Sequence, residues 1–519
     1  ALRDRGVEVR ERTAALEALR SATGQVVGLR VARIDDDGAL VHAGDLHARA
    51  VVLDDRVLSY GALDDLSARV ASTLAAAGIR PGDRVAMILP NVPHMPIAYY
   101  GILRLGGVVV PLNPLLSARE LTYHFQDAEV SLVLVWEAVA EAARAAVGQL
   151  PREVPVVEVT ATGTLQRLGG VPPMPELADR ADHEPAVLLY TSGTTGRPKG
   201  AVLTHHNLRA NAELSASLFG LGPGDVMFGG LPFFHVFGQT VALNGVIAAG
   251  AAVTLLPRFD PAKALEILVR DGVTVFAGVP SMHIALLHAA GEGPVELPHL
   301  RAGISGGSPL PVEVLERFER VLGAPVYEGY GLSETSPVVC FNQEAHGRRP
   351  GSIGTVVRGA RLRVVDDRDE DVPAGEIGEL VVAGEYVMAG YWRNPEATEA
   401  AIRDGWFHTG DLARVDEDGF HYIVDRKKDM VLRGGYNVYP REVEEVIYQF
   451  PGIAEAAVVG VPDETLGEEV AAVVAFRDAP GAGTDARLDE LDAFVRERVA
   501  RYKHPRYYKV VDELPKGPT

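Results

Sequence analysis

Residues 188–200 read Leu188-Leu189-Tyr190-Thr191-Ser192-Gly193-Thr194-Thr195-Gly196-Arg197-Pro198-Lys199-Gly200. An apolar strand runs here into a loop of glycines and small hydroxyl residues that closes on a lysine. Glycines let the backbone curl until several N–H groups point inward, which makes a concave anion site. The hydroxyls of Thr191, Ser192, Thr194 and Thr195 add donors, and Lys199 adds positive charge. A Ser/Thr/Gly-rich surface turn is the plain alternative. The strict array of Gly193, Gly196, Pro198 and Lys199 argues against it. The array is not a Walker loop, because no Gly-Lys-[Ser/Thr] closes it.

Outward from this loop the chain alternates helix and strand. Leu63 to Ala77 and His94 to Leu105 have helical periodicity, while Gly82 to Leu89, Val108 to Pro111 and Val130 to Val135 read as strands. Such alternation implies parallel sheets covered by helices. Residues 161–184 carry Gly169-Gly170, Pro172-Pro173 and Pro175 and read as an exposed connector. A second α/β region runs from Ala186 to about Arg349, followed by short strands between Gly and Asp turns up to Asp425. The remainder reads as a βα unit: Val443 to Tyr448 and Leu488 to Val499 helical, Ala456 to Val461 and Glu469 to Phe476 strands. The expected fold class is α/β. A large N-terminal domain (51–425) of parallel and mixed sheets with covering helices carries a β-rich subdomain, and a small mobile α+β C-terminal domain (429–519) follows a hinge at 426–428. Residues 1–50 differ in texture, with strand character at Val26 to Ala32 and Ala48 to Leu53 and a turn at Asp35-Asp36-Asp37-Gly38.

At 519 residues the chain exceeds one compact core, and 47% hydrophobic with 23% charged residues marks an ordinary globular protein. The single cysteine, Cys340, forms no internal disulfide, which fits a reducing cytoplasmic setting. A net charge of −20 argues against nucleic acid as a partner. The most apolar stretch, Val241 to Pro257, is broken by Asn, Gly and Pro, so no transmembrane helix is expected, and the opening Ala-Leu-Arg-Asp-Arg is no signal peptide.

Four further strings carry chemistry. Tyr330-Gly331-Leu332-Ser333-Glu334-Thr335 sets a carboxylate beside an aromatic ring and a hydroxyl. A carboxylate near a triphosphate repels it unless a hard cation lies between them. Ser305-Gly306-Gly307-Ser308-Pro309 precedes a helix, and an N-cap turn is its plain reading. Trp406-Phe407-His408-Thr409-Gly410-Asp411 offers a short carboxylate able to bridge two adjacent hydroxyls. Val424-Asp425-Arg426-Lys427-Lys428-Asp429 is a charged run, in which Lys427 reads as solvated charge.

Together, in their order along the chain, the strings resemble the adenylate-forming superfamily of acyl-CoA synthetases, luciferases and peptide-synthetase adenylation domains, and the resemblance runs from about Val51 onward. It implies that Thr191 to Gly196 and Lys199 form the phosphate loop, and that the Tyr330 ring stacks on adenine. Ser333 would reach the α-phosphate, and Glu334 with Thr191 would hold Mg2+. Gly306, Gly307, Glu328 and Gly329 would line the nucleotide site. Asp411 and Arg426 would contact ribose, and Lys428 would be the hinge. The wording is similar to bacterial long-chain fatty acid–CoA ligases at Phe234-His235-Val236-Phe237-Gly238-Gln239-Thr240 and at Arg433-Gly434-Gly435-Tyr436. Phe237, Gly238, Val279 and Gly303 would form the acyl pocket with His235 as its gate, and Gly434, Gly435 and Tyr436 the coenzyme A channel.

The implied reaction is ATP-dependent conversion of a fatty acid to an acyl-adenylate and then to acyl-CoA, AMP and pyrophosphate, with ATP, Mg2+ and coenzyme A as cofactor and co-substrates. His235 stands where amino-acid adenylation domains usually carry an aspartate, and a buried ammonium with no counter-charge is costly, so an amino-acid substrate is disfavoured. A lipid substrate would be met in solution or in transient contact with a membrane surface; a homodimer is compatible with the resemblance. Other readings stay open: an aryl–CoA ligase, an acyl-AMP ligase loading a carrier protein, or a non-catalytic acyl-nucleotide-binding protein. Two departures bear on them. The family's adenylating lysine, in a Gly-Lys pair beyond a Leu-Pro-Lys string, is not found up to Thr519; Lys516 belongs to the lead-in. Residues 3–50 loosely resemble a β-hairpin segment of flavin-dependent oxidoreductases but lack a Gly-x-Gly-x-x-Gly loop, so no flavin is expected.

Overall fold

The computed structural model describes residues 49–191, 197–291, 293–463, 465–477 and 484–515, and the backbone of three earlier strands, Ala15–Arg20, Val26–Ile34 and Leu40–Val41. Those three form an antiparallel sheet of their own. The strand at Ala15–Arg20 has no counterpart in the sequence reading, and the expected turn at Asp35 to Gly38 lies outside the described residues.

Two large sheets make the body. In the six-stranded sheet Val108–Pro111, Arg84–Ile88, Leu132–Trp136 and Val156–Val159 run parallel beside Pro185–Thr191. Lys199–Thr204 folds back antiparallel on that last strand at the sheet edge. The nine-stranded sheet has a parallel centre, Arg49–Leu53, Ala252–Leu255, Val226–Gly229, Val275–Gly278, Ala302–Ser305 and Val326–Gly331, with antiparallel strands at both ends. The central strands are Val/Ile/Ala runs buried on both faces, as helix-covered parallel sheets require.

Helices start where side chains can cap them. Ser59 accepts from Ala62 N (3.2 Å) ahead of Tyr60–Ala76, and Ser117 with Glu120 forms a reciprocal box ahead of Ala118–Asp127. The segment expected as an exposed connector contains a short helix, Gly163–Leu168. Its Leu168 is buried against the main core, which ties that stretch down. Gly238–Asn244 winds as a π-helix, a form the apolar run does not announce and one often found at functional sites.

A five-stranded antiparallel sheet (Ala360–Val365, Gly378–Gly384, Ile402–Arg403, Trp406–Val415 and His421–Arg426) forms the β-rich subdomain. The chain leaves it at Arg426 and enters the last sheet at Val431, with Lys428 exposed in the turn between. Lys427 is exposed, as its solvated reading expects, and its Nζ also pairs with Asp367 (3.0 Å) and Glu379 (3.5 Å) at the surface of the subdomain. The last sheet has a separate core of Val431, Val443, Ile447, Val458, Val474 and Leu491, so the C-terminal unit packs as its own small domain. Its helix Pro440–Tyr448 begins three residues before the sequence expectation, because Pro440 suits the first helical turn. Among the described residues no helix is long and apolar enough to cross a membrane.

One buried side chain joins the two large sheets. Asn91, just beyond Arg84–Ile88, donates to Gly229 O (3.0 Å) and Leu231 O (2.6 Å) and accepts from Phe233 N (2.9 Å). Replacing it with alanine strands two carbonyls and one N–H in a dry place. Asn91→Ala is expected to lower stability by roughly 2–3 kcal/mol in denaturant titration, against near-neutrality for an exposed asparagine.

Candidate functional site

The antiparallel register pairs Thr191 with Lys199, so residues 192–198 span the tip between two strands. Ser192, Gly193, Thr194, Thr195 and Gly196 lie outside the described residues. Both flanking residues face a buried carboxylate. Glu334 Oε1 accepts from the Tyr391 hydroxyl (2.9 Å), and its backbone oxygen accepts from Met388 N (2.8 Å). Lys199 Nζ lies 5.1 Å from the centre of the Tyr391 ring. Burial pushes the Glu334 carboxyl above the usual range, and Tyr391, Thr191 and the Lys199 charge oppose that shift. Thr191 Oγ1 is close enough to contribute, yet it is buried and has no partner in hydrogen-bond geometry among the described residues.

A carboxylate and an unengaged hydroxyl beside a lysine suit a hard cation that arrives with phosphate oxygens. Among the described residues no group of three or more His, Cys, Asp or Glu could hold a metal unaided, so such an ion needs the phosphates to complete its shell.

The other end of the motif reaches a second cluster. Tyr330 OH donates to Asp411 Oδ2 (2.5 Å), and Arg426 Nε lies 3.7 Å from Asp411 Oδ1. Asp411 and Arg426 are cross-strand partners, which is why residues fifteen apart in sequence meet. Burial raises the Asp411 carboxyl, and Tyr330 and Arg426 hold it down. Gly331 is required by close approach: a Cβ there would lie 1.8 Å from Pro337 O. Ser333 opens the short 3-10 turn that carries Glu334. Glu328 is placed differently from a nucleotide contact. Its carboxyl accepts from Leu310 N and Gly351 N (3.2 Å each), and burial pushes it up to about 7, so it braces the floor of the site.

Gly306, Gly307, Gly329, Phe237 and Val279 come together. A Cβ on Gly306 would meet Gly329 O at 3.3 Å and the Phe237 ring at 3.4 Å, and one on Gly307 (φ +83°) would meet Val279 at 3.3 Å. The plain N-cap reading of this loop fails, since the following helix Val312–Leu322 starts at Pro311 with no side-chain cap. His235 is half-buried; Phe237 N donates to its Nδ1 (3.3 Å), and desolvation lowers its pKa, which keeps the ring neutral near pH 7. Gly238 allows the turn into the π-helix, because a Cβ would sit 2.3 Å from Pro232 O. Behind it, Gln239 Oε1 and Thr240 Oγ1 are buried with no hydrogen-bond partner among the described residues. Gly303 is not part of this group: a Cβ there would meet Phe318 and Val326 at 3.1 Å, in the hydrophobic core.

Gly434 (φ +57°) and Gly435 (φ +86°) form the two-residue turn of a hairpin in which Arg433 pairs with Tyr436. The turn leans on Leu466, and exposed Tyr436 stacks on Tyr502 (4.9 Å) within the small domain. It stands on the surface rather than against Glu334 or Asp411. The domains meet instead around Arg441, whose backbone N–H donates to the Asp425 carboxylate (3.2 Å) and whose guanidinium donates to Ile423 O. A cavity of about 300 Å³ between them is lined by Ser281, Ser308, Pro309, Arg441, Glu444 and Pro515.

Tyr391 is the site residue that the sequence reading lacks. Its only signal is an aromatic pair, Tyr391-Trp392, after Gly390, more than fifty residues from the carboxylate it serves.

The family description "AMP-binding enzyme" matches residues 41–392, and "AMP-binding enzyme C-terminal domain" matches 442–519. The long-chain-fatty-acid–CoA ligase of Bacillus subtilis (strain 168) is 40% identical over 86% of this chain and 85% of its own. A feruloyl-CoA synthase of an Amycolatopsis species is 38% identical over 90% and 93%. The crystal structure of ATP-bound MatB from Rhodopseudomonas palustris superimposes with a TM-score of 0.84 at 34% identity, covering 91% of this chain and 93% of that one.

Burial pushes both Glu328 and Glu444 up to about 7 from 4.5, so the folded chain binds these protons more tightly than the unfolded chain. The stability they confer is full below about pH 4.5 and is lost as pH rises to about 7. His94, His205 and His283, pushed down to about 4, act in the opposite sense, so the effect is read as a difference. Glu444→Gln is expected to gain on the order of 2 kcal/mol relative to wild type between acidic and neutral pH, measured by denaturation across that range.

Proposed function

This chain belongs to the AMP-binding enzyme family, and from that premise we propose that it is an AMP-forming acyl-CoA ligase for long-chain fatty acids. The observation that carries the reading is the pairing of two clusters on one motif. Glu334, Thr191 and Lys199 suit the triphosphate end of ATP, and Tyr330, Asp411 and Arg426 suit its nucleoside end.

In the first half-reaction a carboxylate oxygen of the fatty acid attacks the α-phosphorus of ATP, the bond to the β-phosphate oxygen breaks, and pyrophosphate leaves. Lys199 brings positive charge to the phosphates. Mg2+, held by Glu334 and Thr191 together with phosphate oxygens, would neutralise charge on the departing group. Asp411 accepts hydrogen bonds from the ribose hydroxyls, the Arg426 charge favours the ionised form of that carboxylate against the upward push of burial, and the Tyr330 ring offers its face to adenine. Neutral His235, among Phe233, Val236 and Phe237, supplies no counter-charge for an ammonium, which favours an acid without one.

In the second half-reaction the thiol of coenzyme A gives up its proton to solvent, its sulfur attacks the acyl carbon, the acyl–phosphate bond breaks, and AMP leaves. The Gly434–Gly435 turn stands outside the cleft while Pro515 borders the domain boundary, so the small domain (429–519) would turn on the 426–428 hinge relative to the large domain (51–425) to bring Gly434, Gly435 and Tyr436 inward. A second reading, an aryl acid, draws on the unpartnered polar atoms of Gln239 and Thr240 behind Gly238 and on the feruloyl-CoA synthase likeness.

Mass spectrometry of products from ATP, magnesium and coenzyme A, with a fatty-acid length series beside hydroxycinnamic acids, tests the reading. Acyl-CoA from long-chain acids is expected; thioesters from the aromatic acids alone would transfer the assignment to an aryl ligase, and no thioester from either would end it. Fixing φ at the hinge with Lys428→Pro is expected to spare acyl-AMP formation and cut thioester formation by about tenfold or more, measured as separate half-reactions. Equal loss of both would remove the hinge from Lys428.

A further inference from the structure

The helix Ala118–Asp127 lies outside every motif described above, yet it grips the strands on both sides of residues 192–196. Tyr123 OH donates to Pro198 O (2.7 Å), next to Lys199. Asp127 Oδ2 accepts from Tyr190 OH (2.6 Å), next to Thr191. Between them the buried His124 ring meets Tyr190 edge-on at 4.6 Å and is fixed by Nδ1 on Glu120 O (2.7 Å). One turn of helix separates Tyr123 from Asp127, so a single rigid element fixes the two strand ends at one spacing.

The same helix end is tied to the far side of the site. Glu129, just past it, pairs with both Arg84 and Arg393. Arg84 lies over the Trp392 ring (5.5 Å), and Trp392 N donates to Gly200 O (2.7 Å). Neighbouring Tyr391 holds Glu334. The lysine, the threonine and the carboxylate are thus referred to one helix by hydrogen bonds and ion pairs, whereas packing alone needs no phenol aimed at Pro198 O.

We propose that Tyr123 and Asp127 are positioning residues for the triphosphate: they set where Thr191 and Lys199 stand relative to Glu334. The inference rests on the reading of that cluster as the triphosphate end of an ATP site. The two residues touch no substrate and act through the strand ends, so their effect belongs to ligands that carry β- and γ-phosphates. AMP, which uses the Tyr330–Asp411–Arg426 end, should not sense them.

Calorimetric titration of the whole chain with ATP plus magnesium, and separately with AMP, tests this in Tyr123→Phe, Asp127→Ala, their double variant and Asp127→Asn. Each of the first two is expected to weaken ATP binding about fivefold, the equivalent of one net hydrogen bond, with AMP affinity unchanged and a small fall in Tm from the hydrogen bond lost to the fold. Asp127→Asn, which keeps an acceptor for Tyr190, is expected to restore most of the loss. Equal weakening of ATP and AMP would reduce both residues to structural support and overturn the proposal. Unchanged ATP affinity in variants of a wild type that binds ATP would overturn the proposal alone. A wild type that binds AMP but gains nothing from ATP would overturn the triphosphate reading beneath it.

Discussion

Glu334 is a carboxylate held where water does not reach it, and much of the surrounding architecture can be read as the means of tolerating it. Burial raises its pKa; one phenol, one nearby hydroxyl and one ammonium oppose that. These partners come from two parts of the chain, the paired strands that carry Thr191 and Lys199 and the segment between Gly384 and Ile402 that carries Tyr391, so the carboxylate is satisfied only when the six-stranded sheet, the nine-stranded sheet and this part of the β-rich subdomain are assembled together. A buried acid with this incomplete set of partners is poised for a ligand that brings its own cation.

Close backbone approach is the second constraint. Gly331 against Pro337 O, Gly238 against Pro232 O and Gly306 between Gly329 and Phe237 leave no room for side chains. Such contacts bring the nucleotide-end cluster and the Phe237 wall within one short loop of each other, which an acyl-adenylate, with its nucleotide and acyl parts on one phosphate, requires. The ties between the small domain and the large one include Arg441 to Ile423 and Asp425 and a long Arg477–Glu313 pair of 3.9 Å.

Much of this was legible in the sequence wherever the signal is local. The alternation of buried strands and helices gave the α/β class, because buried parallel strands must be apolar on both faces, and the apolar run before Thr191 marked the strand that ends there. Glu334, Asp411 and Arg426 stood in strings whose chemistry could be stated without coordinates. Long-range placement was not legible. Tyr391 reaches Glu334 across fifty-seven residues, Glu328 turns its carboxyl to Leu310 and Gly351, and Gly303 packs into the core. The π-helix at Gly238–Asn244 has no periodic signature over seven residues, and the grip of Tyr123 and Asp127 shows only once the hairpin is folded.

The measurement closest to the centre of this account is ATP affinity with and without magnesium, compared between wild type and Glu334→Gln. A carboxylate that answers a cation carried by the triphosphate predicts tight binding to wild type only with magnesium, and a Glu334→Gln variant in which magnesium gives little gain. Equal dependence on magnesium in both proteins would contradict it, leaving Glu334 as a buried acid held by Tyr391 with no part in binding the nucleotide.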